Sequence, residues 1–194
     1  MKAIDRKDYA PRYAYHDEPQ SIGFGATISA PHMHGYALEK MQDFLKPGMR
    51  ALDVGSGSGY LTACMANMVG PEGRVIGIEH IQELVDISER NVKKHHKDWM
   101  VAGRVKFVAG DGRQGYPEDS PYDCIHVGAA ASEKPTELLR QLKAPGLLFS
   151  PVGTASQSIM IYRKQEDGTV REEKWLGVMY VPLTDKKEQY EKGY

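Results

Sequence analysis

Three acidic residues and a set of glycines carry the chemistry of this chain. Glycines at 55, 57 and 59 follow the apolar run Arg50-Ala-Leu-Asp-Val54, and Asp53 stands two positions before the first of them. Glycines so spaced let the backbone turn sharply and let a ligand lie against it where a Cβ would collide. A dinucleotide would bring its pyrophosphate to such a turn, and the Asp53 carboxylate would repel it. A ligand with no phosphate, carrying a cationic amine and a sulfonium, is attracted instead. S-adenosylmethionine answers that description, and the pattern G-x-G-x-G differs from the dinucleotide pattern G-x-G-x-x-G. Glu79 stands about 20 residues beyond the last glycine, where an acid of such folds accepts hydrogen bonds from ribose hydroxyls. Alone, Glu79 could equally be a first-turn acid of the next helix; with Asp53 and the glycines in place, the ligand reading is favoured. Asp111, in Gly110-Asp-Gly-Arg113, either holds a turn or accepts from an adenine amine.

These residues need a scaffold of strands that end at one edge. Arg50 to Val54 reads as a strand, Tyr60 to Val69 as a helix, and Arg74-Val-Ile-Gly-Ile78 as a second strand, which together open a βαβ unit. Ile81 to His96 follows as an amphipathic helix with Leu84, Val85, Ile87, Ser88 and Val92 near one face. Its basic end, Lys93 to His96, suits a solvated helix C-terminus. Further strands are expected at 104–109, 123–127 and 147–150, with a helix over 134–142. Segments 158–163 and 176–181 alternate like the strands of a hairpin, joined through Gln165-Glu-Asp-Gly168. Gly128-Ala-Ala-Ala131 closes the fourth strand with small residues that leave room for a substrate main chain, so Gly128 and Ala129 are candidate substrate contacts. The class is α/β: a doubly wound, mostly parallel sheet with helices on both faces and a C-terminal hairpin.

Residues 1–28 read as an irregular N-terminal segment, 29–150 as the cofactor-binding core and 151–194 as C-terminal strands and a tail that frays, all in one domain. Ser29 is a candidate N-cap and Pro31 a first-turn residue of a helix ending near Lys46-Pro47-Gly48, with Met33, Tyr36, Ala37, Met41 and Leu45 as its apolar stripe. His32 and His34, two positions apart, fall on different sides of that helix, so a two-histidine metal site is not expected. The net charge of −1 over 194 residues gives no electrostatic case for nucleic acid or an anionic membrane. No run approaches a membrane span, no secretory segment is evident, and Cys64 and Cys124 read as small buried residues. A cytosolic monomer is the expectation.

Five stretches together resemble the protein-L-isoaspartate (D-aspartate) O-methyltransferase family over nearly the whole chain. They are Leu52-Asp-Val-Gly-Ser-Gly-Ser-Gly59, Thr27-Ile-Ser-Ala-Pro-His-Met-His34, Gly110-Asp-Gly-Arg-Gln-Gly115, Ile125-His-Val-Gly-Ala-Ala-Ala131 and Tyr180-Val-Pro-Leu-Thr-Asp185. The first alone indicates only a class I methyltransferase. The resemblance implies that Ala26, Thr27, Ile28, Ser29, His34, Asp53, Glu79, Asp111, Gly112, Thr184 and Gln189 line the cofactor or active site, with Ser29 in the catalytic position. It implies methyl transfer from S-adenosylmethionine to the free carboxylate of L-isoaspartyl or D-aspartyl residues in damaged proteins, leaving S-adenosylhomocysteine. The ester then closes to a succinimide that hydrolyses partly to normal aspartate. The chain departs from the family in starting almost at Asp5-Arg6-Lys7-Asp8-Tyr9, where a further helical segment is usual, and in the shorter loop Thr154-Ala-Ser-Gln157. Two alternatives stand beside this reading: a methyltransferase of another carboxyl or small molecule, and a non-catalytic cofactor-binding module.

Overall fold

The computed structural model describes residues 1–192. The segment expected to be irregular contains a hairpin: β1 (Gln20–Gly23) pairs antiparallel with β2 (Ala26–Ile28). Its turn is Phe24-Gly25, with φ of 54° and 68°, and Gly23 ends β1 with φ of 90°. Helix α1 (Pro31–Met41) starts one residue later than expected. Ala30 is its N-cap and Pro31 its first residue, and no side chain caps it. Its buried face is His34, Ala37, Leu38 and Met41, while Tyr36 turns outward against Trp175.

Then follow β3 (Arg50–Val54), α2 (Tyr60–Val69), β4 (Arg74–Glu79), α3 (Gln82–Val101) and β5 (Val105–Ala109). Helix α3 runs past the expected end at His96, whose backbone is non-helical, because Trp99 is buried one turn on and stacks on the His96 ring at 3.8 Å. The chain continues as β6 (Tyr122–Val127), α4 (Thr136–Gln141), β7 (Leu142–Val152), β8 (Gln157–Lys164), β9 (Val170–Val178) and α5 (Lys186–Lys192). The charged tail forms a helix over its described part, and its end, where fraying is expected, lies outside the described residues. Strand β9 begins and ends earlier than the expected 176–181, since most of its residues are exposed and show no alternation.

Seven strands form one sheet in the order β5-β4-β3-β6-β7-β8-β9, parallel from β5 to β7 and antiparallel thereafter. Neighbouring residues go to opposite faces. Ala51, Val75, Cys124 and Leu147 pack with α1, α2 and α3, and Leu52, Ile76, Ile125 and Leu148 pack with α4. A parallel sheet covered on both faces needs this near-continuous burial. Strand order reverses between β3 and β6, which pair directly, and ligands of open α/β sheets bind outside the carboxyl ends of strands at such a point.

Candidate active site

At that point β3 breaks into the glycine turn. Gly55, Gly57 and Gly59 have φ of 76°, 53° and 82°, a region L side chains rarely adopt. The turn is fastened from several sides. The Gly55 and Ser56 N–H groups both donate to the Ile78 carbonyl, at 2.9 and 3.2 Å. From α3, Ser88 Oγ donates to the Gly57 carbonyl at 2.8 Å and Asn91 Nδ2 to that of Ser58 at 3.0 Å. Glu79, the last residue of β4, accepts the Gly57 N–H at 3.2 Å and those of His80 and Ile81 at 2.8 and 3.3 Å. Burial pushes the Glu79 carboxyl above its ordinary range. A buried carboxylate retained beside a turn built to approach a ligand is the pattern expected of a ribose acceptor.

Two adjoining cavities share Thr27, Gly55, Gly57 and Gly128 as walls. The outer one is also lined by Ala26, Glu79, Asp111, Gly112, Ala129, Thr184 and Gln189. The inner one adds Ile28, Ser29, His34 and Asp53. Every candidate site residue lines one or other, apart from Gly59. That glycine caps α2 against Phe107 and Ser88, which a Cβ would approach to 3.1 Å. Neither cavity has a lysine or arginine in its wall, so nothing there would neutralise a pyrophosphate, whereas two carboxylates border the glycine turn. The donor set fits S-adenosylmethionine. An open groove also reaches Thr27 and Ser29 from outside, walled by Met33, Leu176, Val178, Met179 and Val181. A separate groove between the N-terminal segment and α3 contains none of the candidate residues.

The C-terminal segment closes the outer cavity. Gln189 joins His80 Nε2 at 2.6 Å to the Phe24 carbonyl at 2.7 Å, and Thr184 donates to Glu188. Asp111 holds its own turn, accepting the Arg113 N–H at 3.0 Å, and forms a bidentate pair with the Arg113 side chain, which also reaches Asp185. Arg113 keeps the Asp111 carboxyl below its ordinary range. After β6 the main chain is paired at Ala130 and Ala131: Ala130 exchanges hydrogen bonds with Val181 and Leu183, and Ala131 with Pro151 and Gly153, all within 2.8–3.0 Å. Gly128 and Ala129, ahead of these pairs, line the outer cavity.

Inside, Asp53 is 1% exposed and accepts from Thr62 Oγ1 at 2.6 Å, with His126 Nδ1 at 2.8 Å. His34 turns inward and contacts Arg6, while His32 turns out to Asp17. Ser29 is half-buried beside Tyr180, whose phenol is pushed up by burial and drawn back by the Ser29 hydroxyl. Sequence reasoning did not assign His126, Thr62, Arg6 or Tyr180. For His126 a signal existed, a lone histidine within an otherwise apolar strand. Arg6 had none.

Comparison with known proteins agrees with this geometry. The family model for protein-L-isoaspartate(D-aspartate) O-methyltransferase matches residues 1–188. The chain is similar to the Caenorhabditis elegans protein-L-isoaspartate O-methyltransferase, 48% identical over all of this chain and 86% of that one. It is 52% identical to the Triticum aestivum protein of the same name, over 97% of this chain and 84% of that one. Among solved structures, it matches a Plasmodium falciparum protein assigned as a protein-L-isoaspartate O-methyltransferase and crystallised in complex with S-adenosyl-L-homocysteine. That match has a TM-score of 0.89 and 36% identity, covering 95% of this chain and 88% of that one.

Proposed function

The chain belongs to the protein-L-isoaspartate(D-aspartate) O-methyltransferase family, and from that premise we propose how its residues methylate a damaged aspartyl site. The single observation behind the proposal is the place of Ser29, which with Thr27 lines both the inner cavity and the open groove. The reaction class is S-adenosylmethionine-dependent transfer to an isoaspartyl carboxylate. When bound, S-adenosylmethionine supplies a methyl group activated by its sulfonium. Glu79 accepts the ribose hydroxyls, Asp111 and Gly112 border the adenine, and the glycine turn with Asp53 receives the amino-acid end. Thr184 and Gln189 cover it.

The substrate carboxyl has an ordinary pKa of about 3.9, so it is ionised at neutral pH and needs no general base. Ser29 therefore holds the carboxylate in place, by its hydroxyl or its N–H, and neither attacks nor removes a proton. Such alignment supplies about 7–11 kcal/mol in favourable intramolecular models. The polypeptide on either side of the damaged residue lies in the apolar groove of Met33, Leu176, Met179 and Val181, which reads no particular side-chain charge. Damaged proteins and peptides, with D-aspartyl sites as secondary substrates, are the partners this arrangement suits. The test is to incubate the protein with methyl-labelled cofactor and an isoaspartyl peptide. A base-labile methyl ester on that carboxyl is the expected product; label on nitrogen or on a small molecule would refute the assignment.

A further inference from the structure

Arg6 lies in a short 3-10 turn, Arg6–Asp8, far from the sheet edge in sequence, and yet it is 4% exposed. Among the described residues no carboxylate pairs with it. Its Nε and Nη2 are buried without a hydrogen-bond partner, and its guanidinium carbon sits 5.5 Å from the centroid of the Tyr60 ring. Its one side-chain hydrogen bond joins Nη1 to His34 Nδ1 at 3.2 Å. An unpaired buried charge is costly, and a leucine or methionine would fill the space without that cost. A role beyond packing is therefore to be sought where the guanidinium points.

The contact has only one possible polarity. Arginine carries five N–H donors and no acceptor, so His34 Nδ1 must present its lone pair. The ring is then neutral with its proton on Nε2. Burial first, then the charges of Arg6 and His126, keep His34 well below its ordinary pKa, in line with that neutral form. Tyr60 covers the ring at 5.2 Å without bonding to it, and the ring walls the inner cavity with Ser29, Asp53 and His126. The one carboxylate in that wall, Asp53, accepts from Thr62 and pairs with His126, and no hydrogen bond joins it to His34. Among the described residues no hydrogen-bond partner stands at Nε2, so its N–H is a fixed donor open to an acceptor from a ligand in the cavity that His34 lines.

We propose that Arg6 is a positioning residue for methyl transfer: it fixes His34 as an Nε2–H donor to a carboxylate oxygen held beside Ser29. Two carboxylates come to that space, the methionyl carboxylate of the cofactor and the isoaspartyl carboxylate of the substrate. The proposal rests on the inner cavity being the transfer site, but its first test does not need turnover. In the full chain labelled with 15N-histidine, the ring nitrogen shifts of His34 should show Nε2 protonated and Nδ1 unprotonated from pH 6 to 8, a window set by the ordinary histidine pKa of about 6.5. A proton on Nδ1 in the wild type would overturn the proposal.

Kinetics supply the second arm. Arg6→Met should release the tautomer and lower kcat/KM roughly 10- to 150-fold, the range for a hydrogen bond to a charged group. Arg6→Lys, which keeps a cationic donor to Nδ1, should recover most of that loss. The affinity for S-adenosylhomocysteine by calorimetry, set against peptide KM at saturating cofactor, tells which carboxylate is held. A loss in the first marks the methionyl carboxylate and a loss in the second the isoaspartyl one. A folded Arg6→Met with altered thermal stability but wild-type kcat/KM would make Arg6 merely structural. Should that variant fail to fold, the wild-type tautomer and Arg6→Lys still decide.

Discussion

Replacing Glu79 tests the cofactor site with a magnitude that the structure supplies. Its carboxylate accepts three backbone N–H groups, from Gly57, His80 and Ile81, at 3.2, 2.8 and 3.3 Å. A carboxylate offers about four lone-pair sites. One ribose hydroxyl can therefore be accepted without displacing a backbone donor, and a second must displace one of the two longer bonds. In Glu79→Ala the binding loss is at least one hydrogen bond to a charged acceptor, about 1.5–3 kcal/mol, or roughly 10- to 150-fold in Kd. The same change leaves the buried Gly57 N–H unpaired, which lowers folding stability by about 1–3 kcal/mol. Glu79→Gln keeps one acceptor oxygen, and its affinity should fall between the two. Calorimetry with S-adenosylhomocysteine and thermal unfolding without ligand separate the effects. A folded Glu79→Ala that binds within about twofold of wild type would refute the ribose assignment.

Ser29→Ala should leave cofactor affinity nearly unchanged and lower kcat/KM on the isoaspartyl peptide roughly 10- to 100-fold, with Ser29→Thr in between; an unchanged kcat/KM would remove Ser29 from the transition state. His34 has a folded pKa below its ordinary 6.5, so its contribution to stability is fully present above 6.5 and is lost as pH falls from there toward the folded value. His34→Gln, which cannot titrate, should flatten that part of the unfolding curve, and an identical acid-side slope in both proteins would contradict the buried neutral ring. Met179 is 95% exposed, so Met179→Asp should leave thermal stability almost unchanged while raising KM for peptides with apolar flanks. An unaltered KM would move the peptide out of that groove.

The legible part of the fold was the part built from repeated apolar patterns. Strands β3, β4 and β6 are buried almost throughout because both sheet faces are covered, and the acids at the carboxyl ends of β3 and β4 stood out against those apolar runs. What stayed hidden has physical causes. The β1–β2 hairpin is short and half-exposed, with breakers at its tip, so no alternation marks it. Ser29 looked like a helix cap, but Pro31 sets the first turn and the serine sits beside Tyr180, 151 positions away in the chain. The pairing at Ala130 was hidden because its partner, the segment around Val181 to Leu183, carries no strand pattern of its own. Arg6 meets His34 only through the tertiary fold, across 28 positions, and no local pattern foretells a buried cation without a carboxylate.

The central claim is that the inner cavity aligns an isoaspartyl carboxylate and not an ordinary aspartyl side chain. The most direct measurement is the ratio of kcat/KM for two peptides of one sequence, one with L-isoaspartate and one with L-aspartate at the same position. The isoaspartyl linkage moves the free carboxylate by a methylene, and a misplacement near 1 Å in a site working by alignment lowers the rate about 100-fold. The account predicts a ratio of at least about 100 in favour of the isoaspartyl peptide. Equal rates on the two peptides, or transfer to neither by a chain that binds the cofactor, would contradict it.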